Sequence, residues 1–255
     1  MSFVGKGVPV PLYYQIKTRL REAIEAGELR PGDRVPSERE LTQRFQVSRM
    51  TARQALTELE AEGYLQRIQG KGTFVALPKV EQPLASLTSF TEEMRRLGMQ
   101  PGAQVRSVRE VAAGRMVGAL LGIPETEPVV RLERLRLADG QPMALEVSHI
   151  PSRLVPGLVN RDLSAVSLYE VLERVYHIRL VRASQSLEAV AAGAQEAEVL
   201  QVREGAPLLL LERVARDETG QAVEYVRSLY RGDRYRFVAD LVRPRLTGGD
   251  GTSQP

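Results

Sequence analysis

Two sets of residues in this sequence have the types and spacing to bind anions. Arg49 and Arg53 stand four apart with Thr51 and Gln54 beside them, so a helix through this stretch presents two guanidiniums and two hydrogen-bonding side chains to one side. Arginine forks match guanine O6/N7 or phosphate oxygens. The plain alternative is an amphipathic helix with a solvated basic face. Further along, Arg131-Leu132-Glu133-Arg134-Leu135-Arg136-Leu137 has a strand period that places Arg134 and Arg136 on one face, about 7 Å apart. Such a pair repels unless an anion or carboxylates sit between, and Glu133, Glu146 or Glu224 across a sheet could supply the latter. Ser89-Phe90-Thr91-Glu92 and Ser167-Leu168-Tyr169-Glu170 each set Ser three residues before Glu, the spacing that starts a helix whose free N–H groups can hold an anion. If these two starts and the arginine pair converge, they make a phosphate pocket. Glu146, Glu224 and Tyr230 then remain for polar groups such as sugar hydroxyls.

Other chemistry is poorly provided for. There is no Cys, and the only histidines are His149 and His177, which leaves no thiolate nucleophile and no Cys-type metal site. Nothing has the pattern of a nucleophile elbow, a P-loop or a dinucleotide fingerprint. His149 reads equally as a structural histidine or a general base. The expectation is therefore no catalytic residue, no metal and no cofactor.

The elements that must carry the anion-binding residues fall into two domains. The 255 residues, 43% hydrophobic and 26% charged, suit an ordinary globular chain with more than one core. No apolar run reaches the roughly 18 residues of a membrane span, and Met1 to Pro11 has no apolar signal region, so the expected location is the cytoplasm with no membrane partner. Residues 1–77 hold 12 Lys and Arg against 9 Asp and Glu, and residues 78–255 hold 23 of each. The whole formal excess of +3 sits in the first third, which suits a reader of polyanions joined to a neutral partner domain. Two prolines bracket a polar stretch at 78–85, read as a linker. The Gly-rich polar residues 247–255 read as a disordered tail.

In the first domain Leu12, Ile16, Leu20 and Ile24 recur every fourth residue and define a helix ending at Gly27. Ser37 and Glu40 have the spacing of a capping box before Leu41 and Phe45. Ser48 caps a third helix whose inner face is Ala52, Ala55 or Leu56, and Leu59. Two short strands then flank Gln69-Gly70-Lys71-Gly72, a hairpin turn. Three helices and a hairpin make a winged helix-turn-helix. Arg39 and Lys71 fall where such a domain meets phosphate, and Gly70 lets the wing approach a minor groove.

The second domain, residues 86–246, contains an internal repeat. Ser107 to Arg134 laid over Ser186 to Arg213 at an offset of 79 gives 11 identities in 28 positions. A one-residue insertion then brings Gly140-Gln141 over Gly220-Gln221. Each copy reads strand, short helix, strand, turn, strand, so the expected fold is α+β: one pseudo-symmetric antiparallel sheet with helices packed on a face. The role of Arg213, the repeat counterpart of Arg134, stays open.

Several stretches together resemble a known family over nearly the whole chain. Pro11-Leu12-Tyr13-Tyr14-Gln15-Ile16, Pro36-Ser37-Glu38-Arg39-Glu40-Leu41, Ser48-Arg49-Met50-Thr51-Ala52-Arg53-Gln54-Ala55-Leu56 and Gly70-Lys71-Gly72-Thr73-Phe74-Val75 are similar to the winged helix of GntR-family transcription regulators. Leu87 to Met94, Glu133 to Ile150 and Tyr230 to Phe237 resemble the chorismate-lyase-like effector domain (UTRA) of the HutC branch, and within it the NagR/DasR type, regulators of N-acetylglucosamine use. The resemblance implies a homodimer on a pseudo-palindromic double-stranded operator, a role as repressor, and control by an amino-sugar 6-phosphate. It implies DNA contacts from Arg39, Arg49 and Gly70, and Ser37, Ser48, Thr51, Arg53, Gln54 and Lys71 complete the expected DNA-binding set. It implies a phosphate site at Ser89, Phe90, Thr91, Arg134, Arg136, Ser167 and Tyr169, and sugar contacts from Glu146, Glu224 and Tyr230. Ala52 departs from the family's usual β-branched residue, which touches helix packing. Related regulators answer to fatty acyl, phosphonate, histidine-pathway or other sugar ligands, and an enzyme is the rival from another class because the effector fold is shared with a lyase.

Overall fold

Local signals set the first elements. Helix α1 (Leu12–Glu25) buries Ile16 and Leu20, and the flanking Leu12 and Ile24 pack against the same core. Ser37 caps α2 (Glu38–Phe45) through a complete capping box: its hydroxyl accepts from the Glu40 N–H, and its own N–H donates to the Glu40 carboxylate at 2.7 Å. A turn through left-handed Gln46 leads to Ser48, which caps α3 (Arg49–Ala61). Ala52, Ala55, Leu56 and Leu59 are all buried. The hairpin β1 (Leu65–Ile68) and β2 (Gly72–Val75) follows. Buried Lys17 ties α1 to α3 by donating to Glu58 and Glu62 at 2.8 and 2.9 Å. The order of three helices and an antiparallel hairpin is that of a winged helix.

The computed structural model describes residues 10–241 except Gln69 and Ala165, in two compact units, one up to Lys79 and one from Val80. The expected tail at 247–255 and Gln69 of the wing turn lie outside the described residues.

The second unit is built on a six-stranded antiparallel sheet in the order β4-β5-β6-β9-β8-β7. The first half is β4 (Pro101–Ala112), α5 (Gly114–Leu121), β5 (Pro128–Ala138) and β6 (Gln141–Pro151); the second is β7 (Leu180–Ala191), α7 (Ala194–Leu200), β8 (Pro207–Asp217) and β9 (Ala222–Arg231). Each half is preceded by a Ser-capped helix, α4 (Phe90–Arg96) or α6 (Leu168–Tyr176). Strand order and register are palindromic about the β6–β9 pair. Val147 faces Arg227, its own counterpart 80 residues on, so the internal two-fold axis passes between them. The β5–β6 turn places Asp139 and Gly140 both at positive φ, 50° and 74°, as a tight Asp-Gly hairpin requires.

Two expectations are corrected. Helices cover both faces of the sheet: Phe90 and Met94 of α4 and Leu168 and Leu172 of α6 pack on the face carrying Leu132 and Leu211, whereas α5 and α7 pack on the face carrying Leu135, Tyr225 and Leu229. A sheet with six long strands is apolar on both sides and needs both covered. Within the stretch read as a linker, Val80–Pro83 is a strand (β3), paired in parallel with β10 (Tyr235–Val238). Val80 and Gln82 are buried and Glu81 is exposed, the alternation of an edge strand, where a terminal proline costs no ladder bond.

Candidate functional site

On the first unit, the residues expected to read DNA lie on α2, α3 and the wing. Ser37 and Ser48 are spent on capping, and Thr51 shares its hydroxyl with that of Ser48 at 2.8 Å. Gln54 donates to Glu58 at 3.3 Å. Arg39 and Lys71 are exposed, and Gly70 has φ 75° with open space where a Cβ would stand. Arg49 and Arg53 are both held by a residue outside the expected set: Arg49 Nε donates to Glu38 Oε2 and Arg53 Nε to Glu38 Oε1, each at 3.0 Å. The arginine hydrogen bonds hold the Glu38 carboxyl below its ordinary pKa, Arg53 foremost. One carboxylate thus orients two guanidiniums on the exposed face of α3. Spacing along one helix could not reveal it, because Glu38 is 11 and 15 residues from its partners.

On the second unit, Ser89, Phe90, Thr91, Arg134, Arg136, Glu146, Ser167, Tyr169, Glu224 and Tyr230 all line one cavity, together with Thr88, Leu168, Leu211, Arg213, Val226 and Ser228. The two helix starts converge, with Ser167 Oγ donating to Ser89 Oγ at 3.3 Å. The cavity sits on the internal two-fold axis: Ser89 and Ser167, Thr91 and Tyr169, and Arg134 and Arg213 are counterparts from the two halves.

Its charges are buried and only partly matched. Arg134 donates to Glu146 Oε1 from Nε at 3.1 Å and from Nη2 at 2.5 Å, the cross-strand pairing that register dictates. Arg136 has no such carboxylate; it donates to Thr91 Oγ1 at 2.8 Å and lies 4.6 Å over the Phe90 ring. Arg134 Nη1, Arg136 Nε and Nη1, and Glu224 Oε2 have no hydrogen-bond partner. Burial and the charge of Arg134 bring the Arg136 pKa down to about 10. Burial works to raise Glu146, but the charges of Arg134 and Arg136 outweigh it and hold that carboxyl below its ordinary value. Glu224 is pushed up, by burial and by the charge of Glu146. Buried donors without acceptors are costly, and three of the unpartnered atoms are guanidinium nitrogens.

The cavity encloses about 30 Å³, room for one water. Thr91 and Arg136 also wall a second, open hollow of about 340 Å³ reaching Arg95, Met99, Gly102, Ser164 and Val166. His149 lies one residue from Ser148 on β6 and so faces the other side of the sheet. It stacks on Tyr225 at 5.8 Å, and burial and the charge of Arg131 pull its pKa down to about 4. It has no part in the cavity. Among the described residues no cluster of three or more His, Asp or Glu could hold a metal, and no helix is long and apolar enough to cross a membrane.

Comparison with known proteins bears on both sites. Residues 12–75 match the family of bacterial regulatory proteins, gntR family, and residues 96–236 match the UTRA domain. The chain is 44% identical over 235 residues to the HTH-type transcriptional repressor NagR of Bacillus subtilis, covering 92% of this chain and 96% of that protein. It is 34% identical to the histidine utilization repressor of Pseudomonas putida over 92% of this chain and 93% of that one. The crystal structure of PhnF from Mycobacterium smegmatis superposes with a TM-score of 0.64 at 34% identity, covering 90% of this chain and all of that one.

Proposed function

Since the chain belongs to the GntR family of bacterial regulatory proteins and carries a UTRA domain, we propose that it is a cytoplasmic repressor of amino-sugar metabolism, released from its operator by an amino-sugar 6-phosphate. The likeness to NagR supports this choice of metabolism. It acts as a homodimer on a pseudo-palindromic site, each α3 entering one major groove with Arg49, Thr51, Arg53 and Gln54 forward, and with Arg39, Gly70 and Lys71 meeting backbone or minor groove. The reading as a regulator and not an enzyme is supported by the transcriptional repressors that the chain is similar to.

The observation that carries the effector reading is the unmatched charge of the cavity. Arg134, Arg136 and Arg213 stand against Glu146 and Glu224, with burial and the charge of Glu146 pushing the Glu224 carboxyl up. Guanidiniums outnumber carboxylates there, and among the described residues neither Arg136 nor Arg213 has an ion pair, an arrangement that suits a phosphomonoester. Glu146, Glu224 and Tyr230 are left for hydroxyl or amino groups of the sugar. Effector sites enclose roughly 300–1,000 Å³, so the ligand must open the cavity, and displacing the shared wall of Thr91 and Arg136 joins it to the adjacent hollow. A ligand that binds only the opened state shifts the population toward that state, and equal affinity for both would shift nothing.

Operator-type DNA titrated at fixed salt, with and without glucosamine 6-phosphate and N-acetylglucosamine 6-phosphate, tests this reading. Sequence-specific binding weakened by either compound is the expected result. Specific binding that ignores both would move the effector to another chemical class.

A further inference from the structure

Arg213 is 8% exposed and, like Arg136, forms no ion pair among the described residues. The register explains why. Its repeat counterpart Arg134 faces Glu146 across β5–β6, whereas Arg213 faces Val226 across β8–β9 and Gln185 across β8–β7. Its partners are neutral: Nε donates to Gln185 at 2.8 Å, and Nη1 to the Thr88 carbonyl at 3.2 Å and to the Tyr169 hydroxyl at 3.5 Å. The Gln185 bond is well made and fixes the base of the guanidinium; the two from Nη1 are long. A buried cation with loosely engaged donors, on the wall of a cavity that already holds two more arginines, has no carboxylate at ion-pair distance among the described residues, although Tyr169, Tyr230 and Glu224 together favour its charged form.

We propose that Arg213 is a third anion ligand of the effector site, and that it reports occupancy by giving up the Thr88 carbonyl for an oxyanion of the effector. The inference rests on the phosphorylated-effector reading above. The Arg134 and Arg213 pair brackets the internal two-fold axis, so an oxyanion on that axis is reached from both halves of the domain. A charge-assisted bond to phosphate is stronger than one to a peptide carbonyl, which favours the exchange once the ligand arrives. Thr88 precedes the Ser89 cap of α4 within residues 84–89, which lack regular structure and join β3 to α4. β3 begins at Val80, where the second unit begins. Release of the Thr88 carbonyl therefore loosens the stretch of chain that follows directly on the first unit.

The test uses the full chain with Arg213→Met, and with Arg134→Ala as a control for the site itself. Calorimetric titration with glucosamine 6-phosphate and glucosamine 6-sulfate reads the anion, and operator binding at saturating effector reads the coupling. Arg213→Met is expected to weaken 6-phosphate binding by about ten- to hundredfold and to weaken the singly charged sulfate less. Operator affinity without effector is expected to fall toward the effector-bound level, because the variant has already given up the Thr88 carbonyl, and saturating effector to release less further operator than in the wild type; a purely packing role would leave the phosphate-to-sulfate ratio untouched. Wild-type affinity, ratio and release in Arg213→Met, with Arg134→Ala defective, overturns the proposal and leaves the site standing. Wild-type effector binding in both variants overturns the site reading. Weakened binding with full release at saturation overturns the coupling. If Arg213→Met does not fold, Arg213→Gln carries the same readouts.

Discussion

Arg136→Met should make the effector-free protein more stable while removing its response to effector. The guanidinium is 3% exposed, with Nε and Nη1 unpartnered. Its pKa falls from 12.5 to about 10, which corresponds to a cost of charging on the order of 3 kcal/mol. Because the folded value lies below the unfolded one, that cost is fully present at every pH below about 10. Methionine has a similar length and no charge. It forgoes the Thr91 hydrogen bond, about 1.5 kcal/mol for a charged donor, and the stacking on Phe90, about 2 kcal/mol at a desolvated site, of which a thioether near the ring recovers about 1–1.5 kcal/mol. The balance is about 1 kcal/mol in favour of the variant, in line with the neutral or stabilising outcome of apolar replacements for buried charges. For a domain of this size that raises the melting temperature by about 2–4 °C. The assay is a thermal melt with and without glucosamine 6-phosphate. Wild type should gain stability from the ligand by mass action, and the variant should start higher and gain nothing. A lower melting temperature in the variant, or an undiminished ligand shift, would refute the claim that Arg136 is held at a cost for binding an anion.

Arg134→Ala should also lose the effector response and keep operator binding, but it should be destabilised by about 3–5 kcal/mol because Glu146 is left buried and unpaired; adding Glu146→Gln should recover much of that stability in urea melts without recovering the response. Glu38→Gln frees Arg49 and Arg53 on an exposed face, so stability should change by less than about 1 kcal/mol. Its binding to non-operator DNA should tighten and the operator-to-random ratio fall, as read by anisotropy across a salt series. The His149 pKa, depressed by burial to about 4, means that the unfolded chain binds more protons than the folded one between about pH 6.5 and that value. Stability from this group is thus complete above about pH 6.5 and lost as pH falls toward about 4, and denaturant melts of His149→Phe should show a flatter dependence over that interval.

What the sequence made legible was what lies within a turn of helix or within the repeat. Ser37 and Glu40, Ser48 and Thr51, and Ser89 and Glu92 sit three apart, and each pair makes its cap where the spacing places it. The offset of 79 likewise anticipated a pseudo-symmetric sheet and, through Arg134, pointed at Arg213. Partners set by register or by distant segments were hidden. The Glu38 bridge to α3 depends on the angle between two helices, and the parallel pairing of β3 with β10 joins residues 155 apart, such as Glu81 and Arg236. The prolines at 78 and 83 masked that strand, because proline ends strands as readily as it opens linkers. Convergence of the helix starts at Ser89 and Ser167 follows from the two-fold relation between the halves, which a single capping motif does not contain.

In the proposed function a phosphoryl group engages the unpaired guanidiniums of the cavity on the internal axis. The most direct measurement is calorimetric titration of the full chain with glucosamine 6-phosphate and with glucosamine, at one pH and one salt concentration. One site per chain is expected for the phosphate ester, binding at least about a hundredfold tighter than the unphosphorylated sugar, since two unmatched guanidiniums are worth two or more charge-assisted bonds. Equal affinity for the two compounds would contradict it.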